Sequence, residues 1–155
     1  MKKQAFNPYL PSWEYIPDGE PYVFGDRVYV YGSHDYFNGY VFCMGDYVCW
    51  SAPVDDLGNW RYEGVIYPKT ADPLNPEGKM CLYAPDVTVG PDGRYYLYYV
   101  LDKVSVVSVA VCDTPAKTSM IAKDKKALFA INGSYSISGN PSTFTMVDKV
   151  VKVAS

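Results

Sequence analysis

The chain has 155 residues, of which 48% are hydrophobic and 20% are charged, which is enough for one domain with a packed core. Its net charge is −3, and no stripe of Lys and Arg is present, which argues against a nucleic acid partner because phosphate binding draws on clustered cations. No run approaches the ~20 apolar residues of a membrane span, and the first residues lack the apolar core of a secretory signal. We therefore expect a cytoplasmic protein that binds neither nucleic acid nor membrane.

Tyrosine and cysteine are the informative residue types of the composition. The chain has sixteen tyrosines, whose flat rings and polar tips suit strand faces and also stack on sugars; without further motifs, ordinary sheet packing is the stronger interpretation. The four cysteines show no CxxC pair and no metal-ligand spacing, so buried free thiols are expected. They are Cys43, Cys49, Cys81 and Cys112.

Alternation of period two recurs along the chain in short bursts. The bursts fall at residues 28–31, 40–44, 95–100 and 104–111, and they are separated by Gly-Asp, Asn-Gly and Asp-Gly pairs that favour tight turns. Short strands separated by such turns predict an all-β sandwich, barrel or propeller.

An internal repeat favours the propeller. Residues 20–31 and 84–98 share a proline, a turn rich in Gly and Asp, an arginine and alternating aromatic residues, and Pro21 and Pro85 are the equivalent prolines. A blade takes ~40–50 residues, and the longer spacing here is explained if the Pro-rich residues 67–79 form a loop. One sheet repeated along the chain is typical of a propeller.

The composition changes near Pro115. Residues 116–155 are rich in Lys, Ser and Val and contain one tyrosine. We therefore predict two parts: residues 1–115 as propeller blades and residues 116–155 as a tail whose strands complete or cap the sheet. An uncovered strand edge would promote self-association.

Five ordered motifs carry a resemblance to a known family. The chain from residue 7 to about residue 115 resembles glycoside hydrolase family 43, so the resemblance implies part of a five-bladed β-propeller. The motifs are NPYLP at 7–11, IPDGE at 16–20, VFGDRVYVYGSHD at 23–35, DDLGNW at 55–60 and YAPDV at 83–87.

The resemblance implies an inverting glycosidase that cleaves arabinofuranosyl or xylosyl linkages. Such enzymes use one carboxylate to activate water and a second carboxylic acid to protonate the leaving oxygen. Asp18 would be the base, with Glu20 as a neighbouring alternative, and Asp86 would be the third carboxylate, which raises the pKa of the acid. Asp18 in a Pro-Asp-Gly run is otherwise a turn residue, and Asp86 could merely cap a strand.

Substrate contacts to a pentose-containing oligosaccharide are expected from His34, Asp35, Trp50 and Tyr83. For His34 a satisfied histidine at the rim of the sheet is an equal alternative, and for the aromatic residues core packing is at least as good an interpretation. Consecutive residues on a strand alternate faces, which excludes a triad of Ser33, His34 and Asp35. No cofactor is indicated by any motif, although the resemblance allows a calcium ion at the propeller axis.

The general acid of the family has no counterpart in this sequence. The acid is a glutamate on a later blade, and no glutamate follows Glu77. Five blades need about 225 residues, against 155 here. We therefore expect a fragment or chimera, and the alternative to a glycosidase is an inactive part-propeller that binds carbohydrate weakly.

Overall fold

A computed structural model describes residues 5–104 and 106–116 of the chain. These residues form seven strands and one short 3-10 helix, and the predicted tail at 116–155 lies outside them except for its first residue. The strands are β1 (Glu20–Phe24), β2 (Arg27–Tyr31), β3 (Tyr47–Pro53), β4 (Arg61–Tyr67), β5 (Leu82–Val89), β6 (Tyr95–Leu101) and β7 (Val107–Cys112), with the helix at Lys69–Ala71.

The strands form two antiparallel sheets, which confirms the all-β prediction. The first sheet has the order β1-β2-β3-β4 and the second has the order β5-β6-β7. Every neighbour within a sheet is also a neighbour in sequence, as in a blade built from consecutive hairpins. In the described part of the chain no helix is long and apolar enough to cross a membrane.

The repeat predicted from the sequence corresponds to the first hairpin of each sheet. In the first sheet β1 and β2 are joined at Gly25, whose φ is 63°. In the second sheet β5 and β6 are joined by a turn in which the Gly90 N–H donates to the Arg94 carbonyl over 2.8 Å and Gly93 has a φ of 76°. Both turns require a left-handed backbone, which glycine adopts without steric cost.

The strand predicted at residues 40–44 is wrong. These residues belong to the β2–β3 loop, residues 32–46. Asn38 and Cys43 have φ values of 54° and 60°, which break an extended strand, and the Cys43 N–H donates to the Asp35 carboxylate instead of to a neighbouring strand. The strand prediction from alternating residues therefore failed at a loop whose backbone N–H at Cys43 is bonded to the Asp35 side chain.

Tyrosines from both sheets form the core between them. The Tyr67 and Tyr99 rings are 4.9 Å apart between centroids, and the Tyr99 hydroxyl donates over 2.5 Å to Asp72, which is buried in the connection between the sheets. Burial raises the pKa of Tyr67 to about 12. The tyrosine-rich composition is therefore used here for packing with satisfied hydroxyl groups, and all four cysteines are buried free thiols, as predicted.

The opposite face of the first sheet is covered by the N-terminal segment, residues 5–19. Trp50 is 5% exposed and Val48 is 1% exposed on this face. The Trp13 ring lies 5.9 Å from the Trp50 ring, and the Tyr9 ring lies 5.0 Å from the Trp60 ring. This segment ends at the turn that carries Asp18.

Candidate active site

Asp18 lies in an exposed turn immediately before β1. Its φ is 55°, and the turn lies close to the end of β2. A Cβ atom added to Gly32 would come within 2.3 Å of the Ile16 side chain and 2.7 Å of the Pro17 carbonyl. Only glycine at position 32 permits this approach, so the close packing fixes where the Asp18 turn begins.

Asp86 lies on β5 and is bonded to the first sheet. The Tyr22 hydroxyl on β1 donates a hydrogen bond to Asp86. This bond and burial, in that order, raise the pKa of Tyr22 to about 12. A register shift lies between Tyr83 and Asp86, and Ala84 inside it has a φ of 36°. Tyr22 lies on β1 and Asp86 lies on β5, so the bond joins the edge strands of the two sheets.

Asp18 and Asp35 both lie near one buried thiol, that of Cys43. Burial is the main cause that raises the pKa of Cys43, and the charges of Asp35 and Asp18 raise it further, while a hydrogen bond with Ser33 lowers it. Asp35 also accepts the Cys43 backbone N–H. The β2–β3 loop therefore places the Asp35 carboxylate at the same end of the first sheet as Asp18, and the substrate contact expected of Asp35 stays a prediction.

Tyr83 is held beside this end of the first sheet by two cross-links. The fully buried Ser33 hydroxyl accepts the Ala84 N–H over 2.8 Å, and the Tyr47 hydroxyl donates to the Tyr83 carbonyl over 2.8 Å. The Phe42 ring lies 5.4 Å from the Tyr83 ring. One aromatic residue of the β2–β3 loop and one of β5 therefore lie together at this junction of the two sheets.

His34 and Trp50 share a partner that the sequence analysis missed. The Glu14 carboxylate accepts hydrogen bonds from His34 Nε2 over 2.8 Å and from Trp50 Nε1 over 2.7 Å. Trp50 is 5% exposed and lies between Trp13 and Tyr62. Little of its ring is left to meet a sugar, and its platform role stays a prediction.

The aromatic residues exposed at this end of the molecule are others. Phe42 is 61% exposed, and Tyr36 and Phe37 in the same loop are exposed as well. The six predicted residues fall into three groups: Asp18 lies near Asp35, His34 and Trp50 share Glu14, and Tyr83 and Asp86 lie on β5 of the neighbouring sheet.

Comparisons with known proteins identify the family. No family model matches the chain. A xylosidase/arabinosidase of Thermoclostridium stercorarium is 84% identical over 116 residues, which are 75% of this chain and 24% of that protein. A xylosidase/arabinosidase of Bacteroides ovatus is 32% identical over 119 residues, which are 69% of this chain and 35% of that protein.

A solved structure shows the same fold. It is a family 43 β-xylosidase/α-arabinofuranosidase from a compost microbial metagenome in complex with xylotriose, and it is 30% identical with a TM-score of 0.58, covering 74% of this chain and 36% of that one. The chain belongs to glycoside hydrolase family 43. The predicted propeller of antiparallel blades is thereby confirmed. The matched part of this family 43 chain spans only about a quarter to a third of the relatives' length.

The calcium ion that the family resemblance allows does not find a site in the described residues. Within residues 5–104 and 106–116 no group of three or more His, Cys, Asp or Glu side chains is arranged to hold a metal ion. The compost-metagenome enzyme is described in a calcium-free form, which concerns that family 43 member.

Proposed function

We propose that this chain supplies the base and the third carboxylate of an inverting family 43 glycosidase that cleaves arabinofuranosyl or xylosyl linkages. The observation that carries the proposal is the Tyr22–Asp86 bond. It joins the edge strands of two consecutive blades, so that the strand that follows Asp18 is bonded to the strand that carries Asp86. Relatives named xylosidase/arabinosidase support the substrate class.

Asp18 is suited to the role of the base. It is exposed in a turn, so its carboxylate meets water, and the carboxylate Asp35 lies at the same end of the sheet. A base removes a proton from water while the water attacks the anomeric carbon on the face opposite the leaving group. The fixed turn at Ile16 and Pro17 limits where that carboxylate can lie, which is the requirement for an oriented attack.

Asp86 is suited to act on a proton donor supplied by a further blade. Its partner Tyr22 donates a hydrogen bond to it, so Asp86 serves as an acceptor. A negative carboxylate beside a carboxylic acid raises the pKa of that acid and keeps it protonated until the leaving oxygen needs the proton. No glutamate follows Glu77 in this sequence, so the acid must come from other polypeptide.

The substrate proposed is a pentose-containing oligosaccharide. The compost-metagenome enzyme is in complex with xylotriose, and an enzyme of Xanthomonas citri with 26% identity and a TM-score of 0.56 is in complex with xylose. In this chain the hydroxyl groups of a pentose would meet the Asp35 carboxylate, and the ring faces would meet Tyr83 and Phe42, because polar groups fix the orientation of a sugar and aromatic faces pack against it.

A pair of substrates with different leaving groups tests the proposal. When the glycosidic bond of a 2,4-dinitrophenyl xyloside breaks, the stabilised 2,4-dinitrophenolate anion leaves without a proton from a general acid, whereas the sugar alkoxide released from xylobiose needs one. We expect the chain to cleave the dinitrophenyl substrate and not xylobiose. Asp18→Asn should lower the cleavage rate by about 10²–10⁴-fold. Asp26→Asn, an exposed carboxylate of the β1–β2 turn, is the matched control; equal rates in the two variants would exclude Asp18 as the base.

The missing glutamate favours a second candidate function, a non-catalytic part-propeller that binds carbohydrate weakly. In that case xylotriose would perturb the NMR signals of the β2–β3 loop, and neither the dinitrophenyl substrate nor xylobiose would be cleaved.

The outer strands β4 and β7 of the two sheets are the edges through which we propose self-association. A rise of the mass measured by light scattering with concentration would support it, and a monomer at all concentrations would contradict it.

A further inference from the structure

Glu14 is a buried carboxylate outside the residues that the family motifs single out. Its side chain is 3% exposed, yet it lies in a segment without regular secondary structure. Transfer of a carboxylate from water into a protein interior is costly unless hydrogen bonds and a counter-charge compensate. The contacts of Glu14 must therefore compensate the free-energy cost of its burial.

Both oxygens of the Glu14 carboxylate are used. Oε1 accepts from His34 Nε2 over 2.8 Å and from the Tyr15 backbone N–H over 3.1 Å, and Oε2 accepts from Trp50 Nε1 over 2.7 Å. Within the described residues His34 is its one ion-pair partner. An ionised carboxylate can only accept, so the hydrogen of a neutral His34 ring must sit on Nε2.

The segment from Glu14 to Asp18 is attached to the end of β2 at three successive points. Glu14 binds His34, the Tyr15 carbonyl accepts the Asp35 N–H over 3.0 Å, and the residues that follow touch Gly32. The His34 ring cannot shift away freely, because a Cβ atom at Gly45 would already come within 2.5 Å of its Nδ1. Of these three attachments, the Glu14–His34 bond is the one made by a buried side chain.

We propose that Glu14 is a positioning residue: its carboxylate holds His34 in the Nε2–H tautomer and Trp50 in its buried orientation, and thereby fixes the turn that presents Asp18. This inference rests on the proposed function, because that function assigns Asp18 as the base. The hydrogen bonds of Glu14 are observed in this chain and do not depend on that assignment. In this role Trp50 holds the N-terminal segment against the first sheet and does not serve as a stacking surface for sugar. His34 acts through Glu14 on the position of the base.

NMR spectroscopy of the ¹⁵N-labelled chain tests the proposal without requiring turnover. His34 is the only histidine of the chain, so a long-range proton–nitrogen correlation reports its tautomer without ambiguity. At neutral to alkaline pH we expect the Nε2–H tautomer in the wild type. Trp50→Phe removes one of three indole N–H signals and so assigns the signal of Trp50.

Glu14→Gln is the decisive variant. A glutamine side chain offers one acceptor oxygen where glutamate offers two, so His34 or Trp50 loses its acceptor. We expect the signal of one of them to move and the backbone amide of Gly19, next to Asp18, to move with it. Glu77→Gln, which changes an exposed glutamate paired with Lys79, is the matched control and should leave all three signals unchanged.

Two results would overturn the proposal. One is a wild-type His34 that carries its hydrogen on Nδ1, which decides the question even if Glu14→Gln does not fold. The other is a folded Glu14→Gln variant whose His34, Trp50 and Gly19 signals equal those of the wild type. Failure of the proposed function is a separate observation, since it appears as equal cleavage by Asp18→Asn and Asp26→Asn and leaves the NMR pattern intact.

Turnover provides a second readout in a wild type that cleaves the dinitrophenyl xyloside. A base displaced by about 1 Å costs on the order of 10²-fold in rate, so Glu14→Gln should lower kcat by that factor with KM unchanged. A raised KM with an unchanged kcat would instead show that Glu14 serves substrate binding, and it would contradict a positioning role.

Discussion

The two sheets are built alike but are covered differently. Each has one face in the tyrosine-rich core between them. The other face of the first sheet is covered at its centre by residues 5–19. There Val30, Val48, Trp50 and Ala52 of β2 and β3 are each at most 5% exposed, whereas Val23, Tyr62 and Val65 of the outer strands β1 and β4 are 46% to 60% exposed. The corresponding face of the second sheet is half-buried, and its apolar residues are Tyr96, Tyr98, Val100, Val107, Val109 and Val111.

The difference shows where further polypeptide of a family 43 propeller is needed. Strands that are apolar on both faces are typical of sheets covered on both sides, and β6 and β7 have that pattern. Asp86 lies opposite Tyr98 in the register of β5 and β6, on the half-buried side. Its carboxylate accepts the hydrogen bond of the Tyr22 hydroxyl of the first sheet.

The largest expected effect is a difference in unfolding free energy between variants of the covered face of the first sheet and of the half-buried face of the second. Trp50→Ala removes a buried indole from the covered face and should lower the free energy of unfolding by about 3–5 kcal/mol. Tyr98→Ala removes a half-buried ring from the other face and should cost about 1–2 kcal/mol. Urea unfolding followed by circular dichroism measures both. Equal costs would mean that the second face is as well covered as the first.

The next effect concerns how closely the N-terminal segment approaches the first sheet. Gly32→Ala puts a methyl group 2.3 Å from the Ile16 side chain, so the segment must shift, at a cost of about 3 kcal/mol. Gly93→Ala in the second sheet meets no atom within 4 Å and carries only the cost of a left-handed backbone, about 1 kcal/mol.

The two glycine variants should also differ in how far from the substitution the NMR signals change. Gly32→Ala should move the backbone amide signal of Gly19 beside the proposed base, whereas Gly93→Ala should move only signals of the β5–β6 turn. If Gly32→Ala left the Gly19 signal in place, the approach of the segment to β2 would not control the Asp18 turn.

Features with local causes could be predicted from the sequence. The hairpins at Gly25 and Gly93 were predictable because a Gly-Asp or Asp-Gly pair determines its turn within a few residues. The family motifs likewise indicated Asp18 and Asp86, although nothing in the structure tests their catalytic roles. The strand predicted at residues 40–44 failed because the Asp35 side chain, which alternation does not consider, binds the loop at Cys43.

Features with distant causes could not be predicted. The partners of Glu14 lie 20 and 36 residues further along the chain, and the only sequence signal was an acidic residue between Trp13 and Tyr15. Alternation of apolar residues likewise places Trp50 on a face of β3 but does not say what covers that face. The burial of Trp50 depends on Trp13 and Glu14, which pack over the sheet from outside it.

The smallest effect tests the bond between the edge strands of the two sheets. Tyr22→Phe removes the hydroxyl that binds Asp86, at a cost of about 1 kcal/mol or less, because the bond is exposed to solvent. The pKa of Tyr22 is raised from 10 to about 12 in the folded chain. A raised pKa means that the stabilisation is fully present below pH 10 and is lost as the pH rises towards 12.

The difference in unfolding free energy between wild type and Tyr22→Phe should therefore be constant from pH 7 to about pH 9 and shrink between about pH 10 and 12. Tyr96→Phe is the matched control, because the Tyr96 hydroxyl also donates to a carboxylate, that of Asp92, over 2.8 Å but within one hairpin. Adding the Asp86→Asn substitution should abolish most of the effect of Tyr22→Phe and leave that of Tyr96→Phe unchanged. A difference that does not depend on pH, or that survives in the Asp86→Asn background, would mean that the Tyr22–Asp86 bond does not contribute to the contact between the two sheets.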